Sequence, residues 1–212
     1  MHHPPTREIS VTGIGKQIAM VDLVTVRLSV SRMSRYASAA HNLTNLATTQ
    51  VLEVLKYENI TDLHTSSIIV YPTYNYTDGV NVPNGFESTT SLSFDTNPET
   101  VGETIDNVLK VRDVRIDSVT GKLSQGKQTA VMPVVIRLAI DDAKYKAMTI
   151  AQGLGVCLRE PMSAIYESII PSIYSTRTFE TAALGAMPTI TYIPEEQEIT
   201  ASVRVSYMHS FC

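Results

Sequence analysis

The residue types that carry most protein chemistry are few in this chain and widely spaced. Five histidines occur (His2, His3, His41, His64, His209), and two cysteines, Cys157 and Cys212. A bound zinc needs three or four His, Cys or carboxylate ligands, commonly with two of them at short helical spacing. No two of these histidines have that spacing on a helix, and no cysteine joins them. His2-His3 could trap a metal ion, but an unstructured terminus is the plainer meaning. His41 and His64 read as surface or strand-end residues. Asp141-Asp142 and Glu195-Glu196-Gln197-Glu198 set carboxyl groups side by side, as general acid–base work requires. Such runs are far more often a solvated helix face and a charged strand entry, and are read so here. Gly13-Ile14-Gly15-Lys16 has the composition of a phosphate-binding loop but not its spacing, and it leads into a strand rather than a helix. It reads as a hairpin turn. A Ser-His-Asp or Cys-His site would have to be assembled over long range, and no local motif announces one. The expectation is therefore a protein with no catalytic residue, no metal and no cofactor, and not an enzyme.

One stretch has a different chemistry. Tyr71-Pro72-Thr73-Tyr74-Asn75-Tyr76 holds three tyrosines in six residues. Aromatic rings with a polar tip suit contact with a partner chain or a sugar. The alternative is a strand end whose tyrosines lie on their own sheet.

The bulk properties remove whole classes of function. Formal net charge is −4, and Lys and Arg do not cluster, so a nucleic-acid face is not expected. No apolar run reaches the roughly 18 residues of a membrane helix. The N-terminal Met1-His2-His3-Pro4-Pro5-Thr6-Arg7 has no apolar core of a signal peptide. Charged residues make up 18 %, against the usual ~25 %. That balance suits a surface partly covered by other copies. Two cysteines are too few for a disulfide framework. They are read as free thiols, with Cys157 packed as a small apolar group; a bridge or an intersubunit link is the alternative. Sequons begin at Asn42, Asn59 and Asn75, and matter only in a secreted eukaryotic chain.

The elements that must position these residues follow from periodicity. Ile9 to Thr12 alternates and stops at Gly13-Ile14-Gly15. Val24, Val26, Leu28 and Val30 form one face of a strand from Leu23 to Ser31. A helix over about 35–57 carries the stripe Tyr36, Ala40, Leu43, Ala47, Val51 and Leu55. Thr65 to Tyr71 is a strand, 77–85 a loop, and Phe86 to Phe94 an alternating strand. Asn97-Pro98-Glu99 opens a second helix with Val101, Ile105, Val108 and Leu109 inside. Val114 to Leu123 is a strand. Pro133 marks the first turn of a third helix whose inner face is Ile136, Ile140, Ala143, Ala147, Ile150 and Leu154, and Gly155 caps it. Met162 to Ile170 is a strand. Residues 171–194 form an irregular insertion or intersubunit loop. Ile199, Ala201, Val203, Val205 and Tyr207 alternate through a final strand. The order β-β-α-β-β-α-β-α-β-β implies one α+β domain over 1–212, with antiparallel-rich sheets, three helices packed on one face, and an N-terminal arm at 1–7.

Several of these segments, in order, resemble one family. Ile9-Ser10-Val11-Thr12-Gly13-Ile14-Gly15, the Thr65 to Tyr76 stretch, Gly85-Phe86-Glu87-Ser88-Thr89, the alanine-rich Ala143 to Gly155 helix and Ile199 to Val205 are similar to the motifs of the SIMPL-domain family, over residues 8 to 207. Gly126 to Met132 lacks the acidic entry that family has before its helix, and 171–194 matches nothing recognisable in it. The resemblance implies an α+β fold and no known catalytic residues. It implies a homo-oligomeric structural or protective protein, built as a ring, barrel or cage and linked in some members to oxidative stress. It also implies a periplasmic or secreted location if a leader was removed, and otherwise a cytoplasmic one. An adaptor for a signalling partner such as a kinase is the alternative. The residues expected at an oligomer interface are Tyr71, Tyr74, Tyr76, Tyr174 and Phe179.

Overall fold

Alternating apolar residues on seven long strands, with three helices of matching stripe, produce two small sheets that each bury one face. The computed structural model describes residues 7–77, 79–173, 192–194 and 196–212. The element order is the expected one: β1 (Glu8–Met20), β2 (Leu23–Ser34), α1 (Ala37–Tyr57), β3 (Leu63–Thr77), β4 (Val80–Thr96), α2 (Val101–Leu109), β5 (Val114–Lys122), α3 (Gln125–Leu154), β6 (Val156–Ile173) and β7 (Glu196–Phe211). All strand pairs are antiparallel. The elements group into two compact units, described separately. Tyr174 and Phe179, most of the 171–194 segment and the histidines of the N-terminal arm lie outside the described residues.

The first unit is a three-stranded sheet, order β1-β7-β6, covered by α3. Ile199, Ala201, Val203, Val205 and Tyr207 are buried, as their alternation requires. Gly13 and Gly15 do not turn the chain. They lie inside β1, opposite Val203 and Ala201 of β7. A Cβ on Gly13 would come 2.0 Å from the Ala139 carbonyl oxygen, and one on Gly15 2.0 Å from that of Val135. Glycine is there so that helix backbone can approach strand backbone.

Helix α3 also begins earlier than Pro133 suggests. Ser124 caps it by accepting from the Lys127 amide at 3.2 Å, and Pro133 sits within the helix, where it leaves one carbonyl without its helical donor. The buried stripe is Val135, Ala139, Ala143, Ala147 and Ala151. Of the six residues expected inside, only Ala143 and Ala147 are buried; Ile140, Ile150 and Leu154 are exposed. Small residues win the inner face because the glycines bring α3 too close for larger ones. Gly155 ends the helix at φ 66°, as expected.

The two cysteines are not free. Val156 of β6 pairs with Phe211 of β7, and Cys157 is bridged to Cys212 with a Cα separation of 5.1 Å. Antiparallel pairing of β6 with the end of β7 brings together two residues that are 55 apart in sequence.

The second unit is a four-stranded sheet, order β3-β4-β2-β5, with α1 and α2 on one face. Val24, Val26, Leu28, Val30, Leu92 and Phe94 form its floor, against Val51, Leu55, Val101, Ile105 and Val108. Leu109 is exposed instead, as are Tyr36 and Leu43 of the expected α1 stripe. Thr44 takes the inner position, its hydroxyl donating to Ser88 O at 2.9 Å and Ala40 O at 3.0 Å. The 77–85 loop does not exist as such. β3 and β4 run on as one long hairpin past Pro72 and Pro83. Pro72 is tolerated because β3 is an edge strand.

Candidate self-association surface

The hairpin β3–β4 outgrows the sheet that supports it. The pairing of β2 with β4 ends at Ser34 and Phe86, whereas β3 and β4 continue to Thr77 and Val80. Beyond Gly85 the chain is a two-stranded ribbon, a form with little stability of its own. At its root Gly85 adopts φ 105°, and a Cβ there would lie 2.5 Å from Ser34 O. The pairing shifts between Thr73 and Tyr74, and a cleft of about 480 Å³ opens among Arg35, Pro72, Tyr74, Pro83 and Phe86.

Register shows why β3 is apolar on both faces. Ile68 and Val70 pair with Thr90 and Ser88, whose side chains point into the core. Ile69 and Tyr71 pair with Thr89 and Glu87, on the opposite face. Helix α1 covers β4 at Ser88 through Thr44 and leaves β3 at the margin. Ile68 is 55 % exposed, Ile69 53 % and Tyr76 75 %, and Val70, Tyr71, Tyr74, Val80 and Val82 are exposed as well. A long edge strand with apolar side chains and unpaired backbone groups is a template for another chain.

Of the residues expected at an interface, Tyr71, Tyr74 and Tyr76 fall on this hairpin. Tyr71 is anchored, its hydroxyl donating to Glu87 Oε2 at 2.7 Å. That hydrogen bond, with some burial, raises the phenol above its ordinary pKa. Ile68, Ile69, Val70, Val80 and Val82 were missed in the sequence. For Ile68, Ile69 and Val70 the signal is the unbroken run Ile68-Ile69-Val70-Tyr71: on a strand, four consecutive apolar residues populate both faces.

Among the described residues the chemistry-bearing side chains do not converge, and no three His, Cys, Asp or Glu side chains are grouped to hold a metal. His64 contacts Asp62 at 2.8 Å in solvent, and His41 on α1 contacts Asn45 at 3.1 Å. Asp142 is a fastener: its Oδ2 accepts from the Ile14 amide and from Lys146 Nζ, both at 2.7 Å. Those two donors hold its carboxyl below the ordinary range, against the opposing effect of burial. Glu198 is paired with Lys16 at 2.9 Å. A wider cleft of about 720 Å³ between α1 and α2 is lined by Tyr57, Glu58, Lys110 and Arg112, and Glu58 there already accepts from Asn107 and Thr104.

Residues 9–207 match the SIMPL family model, described as "Protein of unknown function (DUF541)". The chain belongs to the SIMPL family. This SIMPL chain is 34 % identical over 161 residues to the "26 kDa periplasmic immunogenic protein" of Brucella melitensis biotype 1 and to the protein of the same description from Brucella abortus strain S19. The match takes in 71 % of this chain and 62 % of each relative, so less than two thirds of their length. No described helix is long and apolar enough to cross a membrane.

Proposed function

We propose that this SIMPL protein is a non-catalytic structural or protective protein that assembles with copies of itself into a ring, barrel or cage, with the β3 edge as the main contact. The observation that carries the reading is β3: an edge strand apolar on both faces and continued into a two-stranded ribbon. Neighbouring copies would pair or cover that edge, and closure of the assembly would remove open edges altogether. A role in stress defence fits a protein that works by covering and enclosing rather than by turnover. The periplasmic description of the Brucella relatives, together with a disulfide that persists in oxidising compartments, supports a bacterial periplasmic location.

The test is native mass by light scattering after size exclusion, on the full chain and on Tyr74→Ala and Ile69→Lys variants. The reading expects a mass of many chains, lowered in the variants. A native mass of one or two chains contradicts it and favours an adaptor that binds a different protein. An unchanged large mass in both variants contradicts the assignment to β3.

A further inference from the structure

The solvent side of α3 carries a second apolar seam. Val134, Leu138, Asp141, Tyr145 and Met148 succeed one another at spacings of 4, 3, 4 and 3, opposite the buried alanine stripe. Val134 is 49 % exposed, Leu138 41 %, Tyr145 72 % and Met148 53 %. A helix with one face on its own sheet should be polar on the other. Alternating spacings of four and three are instead the pattern of a seam that packs against a second helix.

The seam also has an internal symmetry. Read from either end, it runs apolar, apolar, Asp, apolar, apolar, with Asp141 at the centre. We propose that the outer face of α3 pairs with the same face of a second copy, antiparallel, about a two-fold axis at Asp141. Val134 then lies opposite Met148 of the other copy, and Leu138 opposite Tyr145. Arg137 and Lys144 flank Asp141 at i−4 and i+3, both exposed. Two Asp141 carboxylates at the axis are then surrounded by four cations, two from each copy, which offsets their mutual repulsion.

The seam spans roughly 21 Å at ~1.5 Å per residue. Four apolar side chains from each copy fall short of the roughly 800 Å² per partner of a free-standing interface. The contact therefore acts in addition to the β3 edge rather than alone, and two distinct contacts are what a closed dihedral assembly requires. The inference rests on the reading that copies of this chain associate, through a different surface.

Val134→Cys and Met148→Cys variants of the full chain, singly and mixed, would be treated with a short bis-maleimide; the native cysteines are occupied by their bridge. The mixture should give covalent dimers, and each variant alone should stay at the level of a control cysteine at exposed Glu53. Leu138→Asp in the same backgrounds should return the mixture to that level, and Asp141→Leu should raise the dimer yield. Dimers no more abundant in the mixture than in the control overturn the proposal, as does equal dimer formation by Val134→Cys alone, which would mean a parallel pair. Light scattering of the hairpin variants judges the β3 contact, and the cross-link judges α3, so either can fail without the other.

Discussion

Strands β1 and β3 are both sheet edges, and the chain treats them in opposite ways. At β1 the helix α3 is drawn close by Gly13 and Gly15. Two of its side chains then close the strand's open edge: Asp142 accepts from the Ile14 amide at 2.7 Å, and Lys146 donates to Thr12 O at 3.1 Å. One backbone donor and one backbone acceptor of β1 are thereby occupied. At β3 helix α1 reaches only the margin of the strand, residues 68–71 are apolar on both faces, and the edge runs on as a ribbon. An open edge is a liability that folded chains normally blunt with charge, a bulge or cover. Among the described residues one edge is blocked within its own unit and the other is left open, and the proposed self-association would use the open one.

The blocked edge is the more sensitive of the two to substitution. Gly15→Val forces a side chain into the Val135 carbonyl and should cost about 3–5 kcal/mol, read as a lowered unfolding midpoint in denaturant. An enlargement at an exposed site of β3, Ser66→Val, should leave stability nearly unchanged. Next is the bridge that ties β6 to the end of β7. Cys157→Ser with Cys212→Ser should lose about 2–4 kcal/mol by the same assay, through the freedom regained by the unfolded loop.

Asp142→Asn keeps the shape of the β1 fastener but weakens its charge-assisted bonds, and should cost about 1–2 kcal/mol at neutral pH. Its pH dependence has a definite sign. The Asp142 carboxyl is held low by Lys146 and the Ile14 amide. At Asp95 burial raises the pKa, but hydrogen bonds from Lys122 and Thr25 outweigh it, and the group also ends low. A carboxyl depressed in the folded state stabilises above its unfolded value, about 4, and that stability is lost as pH falls through the folded value. Acid unfolding should therefore steepen below about pH 4, and less so in Asp142→Asn. The smallest effect on stability belongs to Ile69→Lys, within about 0.5 kcal/mol, because the site is exposed. Its consequence should be confined to association.

Much of this was legible in the residues. Strict alternation placed the β2, β4 and β7 core faces correctly, and the element order followed from the spacing of turns and stripes. What failed has a common physical cause: close approach between elements. Gly13-Ile14-Gly15 reads as a turn in isolation and becomes a strand only because α3 lies on it. That same approach rotates the α3 stripe from Ile140 and Ile150 to alanines. The cysteine bridge depends on a register between β6 and β7 that no local signal sets. The tyrosines of 71–76 stand out in the sequence by their chemistry, whereas the apolar run before them needed the edge position of β3 to acquire meaning.

Amide hydrogen exchange on concentrated protein reads both edges at once, the one fastened by its own chain and the one that the proposed assembly would close with a neighbour. The account predicts that the Ile14 amide is protected in the wild type and in Ile69→Lys alike. It predicts that the β3 amides facing away from β4 are protected in the wild type and exchange freely in Ile69→Lys. Free exchange along that edge of β3 in the concentrated wild type would contradict it.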